Sequence, residues 1–395
     1  MKYLKDIKGD RVIWIVVLIL SIMSVLAVYS ATGMMAYKKQ HGNTEYYLMK
    51  QLLILGFAFL LMLVTHRVKY TYYSRIGQIA FWLSIALLII TFLFGANYNE
   101  AIRWFKIPGT NLTFQTSDIA KLALVMYLAR LLSRHQDRVS EFKSGYLILM
   151  ITVVMVSGLI FLFNFSTAAI VFVTSMVVMY VGRVKIRFLL ITGLAGILMI
   201  AFTLAIVHEF PNLLPRGTTW VKRLENFSSK EKAEADVSYQ ADQAKMAIAT
   251  GGVLGKSPGK SSLRYFLPHP DSDFIYAIII EEYGLIGGIA VLLLYLILFY
   301  RVIRIATKCQ GTFGTFMTLG LGFSMVFQAL INMAVAVGLF PVTGQTLPMI
   351  STGGTSIWFT AISLGIILSV SRWMDTVQET PDGTAQQPEP IPVGS

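Results

Sequence analysis

Asp273 stands where a polar stretch, Leu267-Pro268-His269-Pro270-Asp271-Ser272-Asp273-Phe274, enters an apolar run that continues from Ile275 to Gly288 with Glu281 and Glu282 inside it. A carboxylate at a membrane boundary costs free energy, so such groups are rare and usually functional. At that boundary Asp273 has the chemistry of a general base. Two other groups have matching character. Asn99 to Phe105 joins Arg103 to Trp104, and Gln115-Thr116-Ser117-Asp118-Ile119-Ala120-Lys121 sets Lys121 about one turn into the next apolar run, within reach of a phosphate or an acidic partner. For Arg103 and Trp104, an interfacial aromatic with a snorkelling guanidinium explains the pair as well as a substrate role does. Glu281 and Glu282 lie roughly 12 Å down their run and about 100° apart around a helix. They are not expected to face one cavity, and at least one is expected to form a structural ion pair.

The elements that must position these groups follow from composition. Hydrophobic residues make up 55% of the 395 positions and charged residues 14%, with a mean hydropathy of +0.65. Those values describe an all-α polytopic membrane protein. The net charge of +12 is spread singly between apolar runs, as topology signals are, which argues against a nucleic-acid partner. Cys309 is the only cysteine and the five histidines lack ligand spacing, so no metal-binding residues are assigned.

Runs of about 20 apolar residues, enough to cross a bilayer, lie near 12–32, 48–65, 75–95, 117–134, 145–163, 166–182, 187–208, 274–300, 313–337 and 355–371. The first reads as a retained span, since no small-residue cleavage site follows it. A polar break at Asn164 to Thr167 divides the fifth from the sixth. With the N-terminus cytoplasmic, every short inner loop is basic, as the positive-inside rule requires. Both termini are then inside, and one long outer loop, about 209–273, joins helices 7 and 8. Residues 1–374 form a single transmembrane domain, and 375–395, rich in Pro, Gln, Glu, Thr and Gly, read as a disordered cytoplasmic tail.

This topology puts three helix N-termini on the outer face, at Ser117-Asp118, Ser272-Asp273 and Thr355-Ser356. Their unpaired N–H groups and partial positive charge favour anions, and three together suit a pyrophosphate. Ordinary capping, worth about 1 kcal/mol, accounts for Ser117 and Ser356. Asp273 differs because its helical face continues through Ala277, Ile280, Gly284 and Gly288, small residues that allow close helix approach. The stretch from Pro341 to Ser356 is too rich in Pro, Gly and polar residues for helix, and reads as a loop lining a cavity.

Taken in order, Arg103-Trp104, Gln115 to Lys121, Tyr239-Gln240 with Ala247 to Gly252, Leu267 to Gly284 and Pro341 to Ser356 resemble the SEDS family (shape, elongation, division and sporulation), which includes FtsW, RodA and SpoVE. The likeness runs from about 12 to 374. Asp271 to Tyr276 and Ser166 to Ala169 look closer to the division branch, FtsW, than to RodA. The resemblance implies a glycosyltransferase that polymerises lipid II into peptidoglycan strands at the outer face of the bacterial cytoplasmic (inner) membrane. It implies undecaprenyl-linked glycan as co-substrate, a class B penicillin-binding protein and other divisome membrane proteins as partners, and a place at the division septum; separately, analogy with phosphate-handling sites makes a divalent cation, magnesium or manganese, a candidate to share the charge of the leaving group. The resemblance carries the essential aspartate to Asp273. It further implies substrate contacts at Arg103, Trp104, Lys121, Gln240, His269, Ser351, Gly353, Gly354 and Ser356, with Ser117, Asp118, Glu281 and Glu282 in support. Where the family has Gln-Pro-Ser-Glu this chain has Gln115-Thr116-Ser117-Asp118. Where it has Pro-Asp-Leu-Gly-Thr-Ala the chain has Phe163 to Ala168, so Asn164 receives no charged role.

Other readings are a lipid II flippase, an elongation enzyme of the RodA type and a noncatalytic division scaffold. A flippase needs polar access from both faces, whereas these motifs gather on one.

Overall fold

The computed structural model describes residues 8–33, 37, 43–94, 96–98, 101–106, 113–210, 217, 219–221, 223, 235–266 and 271–378. Each expected span is a helix: α1 (Arg11–Ala31), α2 (Thr44–Arg67), α3 (Tyr72–Phe94), α4 (Thr116–Arg134), α5 (Leu147–Phe161), α6 (Phe165–Val181) and α7 (Ile186–Glu209). After these come α8 (Ala235–Gly251), α9 (Ile275–Lys308), α10 (Thr312–Ala336) and α11 (Thr355–Gln378). Among the described residues, eight helices are long and apolar enough to cross a membrane by length and composition. The others expected to span are α6, a shorter apolar helix, and α4, which carries Asp118, Lys121, Arg130 and Arg134.

Two segments depart from expectation. Before α4, the presumed loop contains a small antiparallel sheet, β1 (Ala96–Tyr98), β2 (Ala101–Lys106) and β3 (Thr113–Gln115), in the order β1-β2-β3. The segment between α7 and α9 includes α8, a helix that lies along α9. At the other end of the chain, α11 continues to Gln378, past the start of the polar tail.

α10 is the centre of the bundle. Two thirds of its most apolar stretch (67%) is buried, against 6% for α7, whose Leu190, Leu194, Ile197 and Phe202 face outward as lipid-facing side chains do. Helices gain no hydrophobic drive from meeting each other in lipid, so close approach of small residues decides the pairing. α2 and α11 illustrate this at Gly365, where a Cβ would stand 1.9 Å from Thr65 Oγ1 and 2.6 Å from the Met62 carbonyl.

One end of the bundle is tied by charge. Asp10 caps α1, accepting from Val12 N (3.0 Å) and Ile13 N (3.2 Å), and also receives Arg301 Nε of α9 at 2.8 Å and Arg301 Nη2. Gly9 N donates to Asp375 of α11 (3.0 Å), and Arg372 Nη2 donates to the Arg67 carbonyl (2.8 Å). The first helix is thus bound to the ends of α9 and α11.

α9 is broken at Gly284, whose φ of 72° and ψ of −174° are non-helical. A positive φ of this kind favours glycine, which has no Cβ to clash. The break frees the carbonyls of Glu281 and Glu282 and the amides of Leu285 and Ile286, which an intact helix would pair with one another. Backbone following α8 takes both sets: Leu285 N donates to Gly252 O (2.9 Å) and Ile286 N to Val253 O (3.4 Å). In return, Lys256 N donates to Glu281 O (2.9 Å) and Ser257 N to Glu282 O (3.1 Å).

Gly365→Ala should force α2 and α11 apart and destabilise the protein by about 1–3 kcal/mol, as overpacking does, seen as a lower melting temperature in detergent. Gly158→Ala, whose Cβ would meet nothing within 4 Å, should not lower it. Equal melting temperatures for the two variants would show that the α2–α11 approach does not hold the bundle.

Candidate active site

At the end opposite the charged tie, α4, α9 and α11 begin side by side around the loop 337–354. Gln115 N, just before α4, donates to Thr355 Oγ1 at the start of α11 (3.4 Å). Ser351 Oγ donates to the Ser272 carbonyl (2.6 Å), and Thr352 N to the Asp271 carbonyl (3.0 Å), so the loop holds the turn before α9. Tyr295 OH donates to the Pro348 carbonyl, and Ser24 Oγ to that of Ile350 (2.7 Å), fastening the loop from within the bundle. Non-helical backbone at membrane depth requires such protein partners.

Asp273 is half-buried in the turn 271–274. Its Oδ1 accepts from Ser272 Oγ (2.6 Å) and its carbonyl from Asn332 Nδ2 (3.0 Å). The same Asn332 amide donates to the Gln345 carbonyl (2.6 Å), tying the turn, the loop and α10 together. Arg223 is one of the groups whose charge feels the carboxylate. Burial pushes its guanidinium below the usual range, and the Asp273 carboxylate pushes it back up. Arg223 Nη1 donates to the Val342 carbonyl (3.1 Å), while Nε is buried without a partner among the described residues. A carboxylate beside a guanidinium with a spare donor can take a proton from a hydroxyl while an adjacent anion is held.

Lys121 continues the polar surface inward. Its Nζ donates to Gln328 Oε1 (2.7 Å) and lies 3.6 Å from Asp118 Oδ1. These side chains line a cavity between α4, α10 and α11 together with Ser324, Pro348 and Thr360. Asp118 Oδ2 and Ser324 Oγ are buried there without hydrogen-bond partners among the described residues.

Ser351 belongs to the same constellation, buried and bonded to Ser272. Gly354 has φ +47°, and a Cβ on Gly353 would stand 3.1 Å from Ser356 Cβ, so both glycines shape the tight lead into α11. Capping proves not to be the role of Ser117 or Ser356. α4 starts at Thr116 with Gln115 at the cap and α11 starts at Thr355, so both serines sit inside first turns. Ser117 Oγ instead accepts from Gln115 Nε2 (2.8 Å), and Ser356 Oγ lies 3.3 Å from Thr346 Oγ1. Nor does Asp273 open its helix: α9 starts at Ile275, with Phe274 at the cap and no side-chain cap bond.

Arg103 and Trp104 lie on the central strand β2, where Trp104 pairs with Ala96 on one side and Gln115 on the other. The sheet thereby places them beside the start of α4; their side chains are outside the described residues, as is the whole of His269. Gln240 is half-buried on α8 and its side chain makes no hydrogen bond among the described residues. Glu281 and Glu282 do not face apart as expected. Both reach Ser261, Glu281 Oε2 accepting from its hydroxyl (2.5 Å) and Glu282 Oε1 from its amide (3.2 Å). Glu281 also pairs with Lys256 Nζ (2.7 Å). The segment after α8 folds over both carboxylates, so their separation around the helix does not divide them.

Sequence reasoning did not single out Arg223, Gln328, Asn332 or Gln345. A signal existed for two of them. Gln328 and Asn332 are polar, four apart and buried in an otherwise apolar span, so they share one inward face. Arg223 carries no such mark among the other basic residues of its loop.

A family model described as a cell cycle protein and covering FtsW, RodA and SpoVE matches residues 10–375. The chain is 31% identical over 366 residues to the probable peptidoglycan glycosyltransferase FtsW of Trichlorobacter lovleyi, covering 92% of this chain and 93% of the relative. It is 29% identical over 374 residues to stage V sporulation protein E of Bacillus subtilis, covering 93% and 98%. Among solved structures, it matches a chain from work on structural coordination of polymerization and crosslinking by a peptidoglycan synthase complex, with TM-score 0.73, 25% identity and coverage of 93% and 98%. The rod shape determining protein RodA of Thermus thermophilus has the same fold, with TM-score 0.67, 24% identity and coverage of 92% and 97%.

Removing the Asn332 amide leaves the Asp273 and Gln345 carbonyls without that donor. Asn332→Ala should therefore lower stability by about 1–3 kcal/mol, the cost of stranded buried acceptors. A melting temperature in detergent equal to that of the unaltered protein would exclude this role for Asn332.

Proposed function

This chain belongs to the FtsW, RodA and SpoVE family of multi-pass membrane proteins, and from that premise we propose that it polymerises lipid II into peptidoglycan glycan strands with Asp273 as general base. The observation that carries the assignment is the placement of Asp273 in a turn held by Asn332, Ser351 and Thr352, where three helices begin around one polar loop. In this reading the Asp273 carboxylate takes the proton of the acceptor sugar's 4-hydroxyl. The hydroxyl oxygen forms a bond to the anomeric carbon of the donor. The bond from that carbon to the phosphate oxygen breaks, and undecaprenyl pyrophosphate leaves with the electron pair.

Help of this kind contributes about 10²–10⁴-fold. Charge growing on the leaving pyrophosphate is met by the spare Arg223 Nε, by Lys121 and by the amides at the helix starts, groups already in place before the reaction. A divalent cation, magnesium or manganese, supplies the same neutralisation when present. Among the described residues no group of three or more His, Cys, Asp or Glu side chains could hold a metal, so no residue and no step are assigned to it.

The positive-inside pattern supports an outward-facing site in the inner membrane, with the tied end in the cytoplasm. A class B penicillin-binding protein is the partner that would crosslink the strands. Likeness to proteins named FtsW supports a role in septal synthesis alongside other divisome proteins.

Purified protein with its class B partner, in liposomes containing labelled lipid II, should build a glycan ladder. Asp273→Asn should slow it about 10²–10⁴-fold, whereas an undiminished rate would remove Asp273 from the mechanism. Translocation of lipid II without polymerisation would make the protein a flippase. In the same assay Arg223→Met should slow the rate about 10-fold or more and Arg223→Lys less, since lysine keeps the charge without the fork of donors. A rate for Arg223→Met equal to that of the unaltered protein would remove Arg223 from the leaving-group site.

A further inference from the structure

We propose that the segment 251–263 is a splint that positions Asp273, with Lys256 and Glu281 as its positioning residues; this rests on the reading of Asp273 as the base. The residues from Ile275 to Tyr283 form a short helical arm between the Asp273 turn and the break at Gly284. With Asp273 eleven residues from Gly284, the arm is about 16 Å long at about 1.5 Å per residue. Over that length a change of about 4° at the break moves the carboxylate by about 1 Å, and a misplacement of this size can cost about 10²-fold in rate. The angle at Gly284 therefore has to be held by something other than the helix, whose own ladder is interrupted there.

The splint holds it in two ways. The first is the exchange of backbone bonds, in which Gly252 and Val253 carbonyls and Lys256 and Ser257 amides replace the missing helical partners. The approach is close: a Cβ on Gly251 would stand 2.4 Å from the Ile280 carbonyl, on Gly255 2.2 Å from that of Glu282, and on Gly284 2.1 Å from that of Val253. The second is the carboxylate of Glu281, which is fully buried and gathers the far side of the segment. It accepts from Lys256 Nζ (2.7 Å), Ser261 Oγ and Ser262 Oγ (2.5 Å each), Ser262 N (3.0 Å) and Leu263 N (3.3 Å). Glu282 adds the Ser261 amide and, from α1, the Ser30 hydroxyl. A buried carboxylate bonded on both oxygens, as that of Glu281 is, rigidifies what it joins, while Glu282 Oε2 has no partner among the described residues. At its other end the arm is fixed by Asn332 on the Asp273 carbonyl, so the carboxylate is set from both sides.

The test uses the full chain with its class B partner in liposomes carrying labelled lipid II. Lys256→Met should lower kcat about 10- to 100-fold and leave KM for lipid II within about twofold, because positioning is lost while binding is kept. Lys256→Arg should recover most of the rate. In a Cys309→Ala background, joining Val253→Cys to Ile286→Cys with a short bifunctional thiol reagent should restore kcat to the Lys256→Met protein, since both positions are exposed and their backbones are bonded.

A Lys256→Met protein with unaltered kcat, beside an inactive Asp273→Asn protein, overturns the splint alone. An active Asp273→Asn protein overturns the reading of Asp273 instead. A raised KM with kcat kept would make the segment a substrate contact, also against the proposal. If Lys256→Met does not survive purification, Ser262→Ala, which removes one donor to Glu281, must lower kcat about threefold, by the same loss of positioning on a smaller scale; no change overturns the splint.

Discussion

Backbone groups freed inside a bilayer find no water there, so a helix that breaks must be completed by other protein. At Gly284 the completion is literal, two carbonyls and two amides being exchanged between α9 and the backbone after α8. This constraint explains why a polar, serine-rich segment runs beside a membrane helix, and why two buried glutamates stand where they do. Neither carboxylate is near the turn that carries Asp273, yet both secure the geometry on which that turn depends.

The same constraint shapes the site itself. The loop 337–354 has no secondary structure of its own, so side chains supply its bonds: Gln328 to the Thr346 carbonyl, Asn332 to that of Gln345, and Gln345 to Thr167 on α6. Gln328 and Asn332, polar residues placed in the apolar bundle, thus anchor backbone that would otherwise be stranded. The outcome is a loop held by side chains from α10 and α6.

The ten apolar runs could be read from sequence because each is long, continuous and flanked by single basic residues, and each is a helix. The gathering of Lys121, Asp273 and Ser351 at one end followed from topology. The strands at 96–115 did not announce themselves, since two of them have only three residues, too few to show a period. Gly284 and Gly288 looked like a small-residue face for another span. Only the position of α8 reveals that Gly284 instead receives a loop, a contact between residues about 30 apart in sequence with no local signature. Glu281 and Glu282 were judged by angle around a helix, and that geometry does not limit a segment able to wrap both.

The tie among Asp10, Arg301 and Asp375 bears on how the chain is made. Asp10, at the start of α1, is made well before Arg301 of α9 and Asp375 of α11. Until those arrive, the start of α1 lacks its guanidinium and its carboxylate partner. An early helix is therefore made fast at its start only by later ones, and the pairing of Asp10 with Arg301 marks that stage.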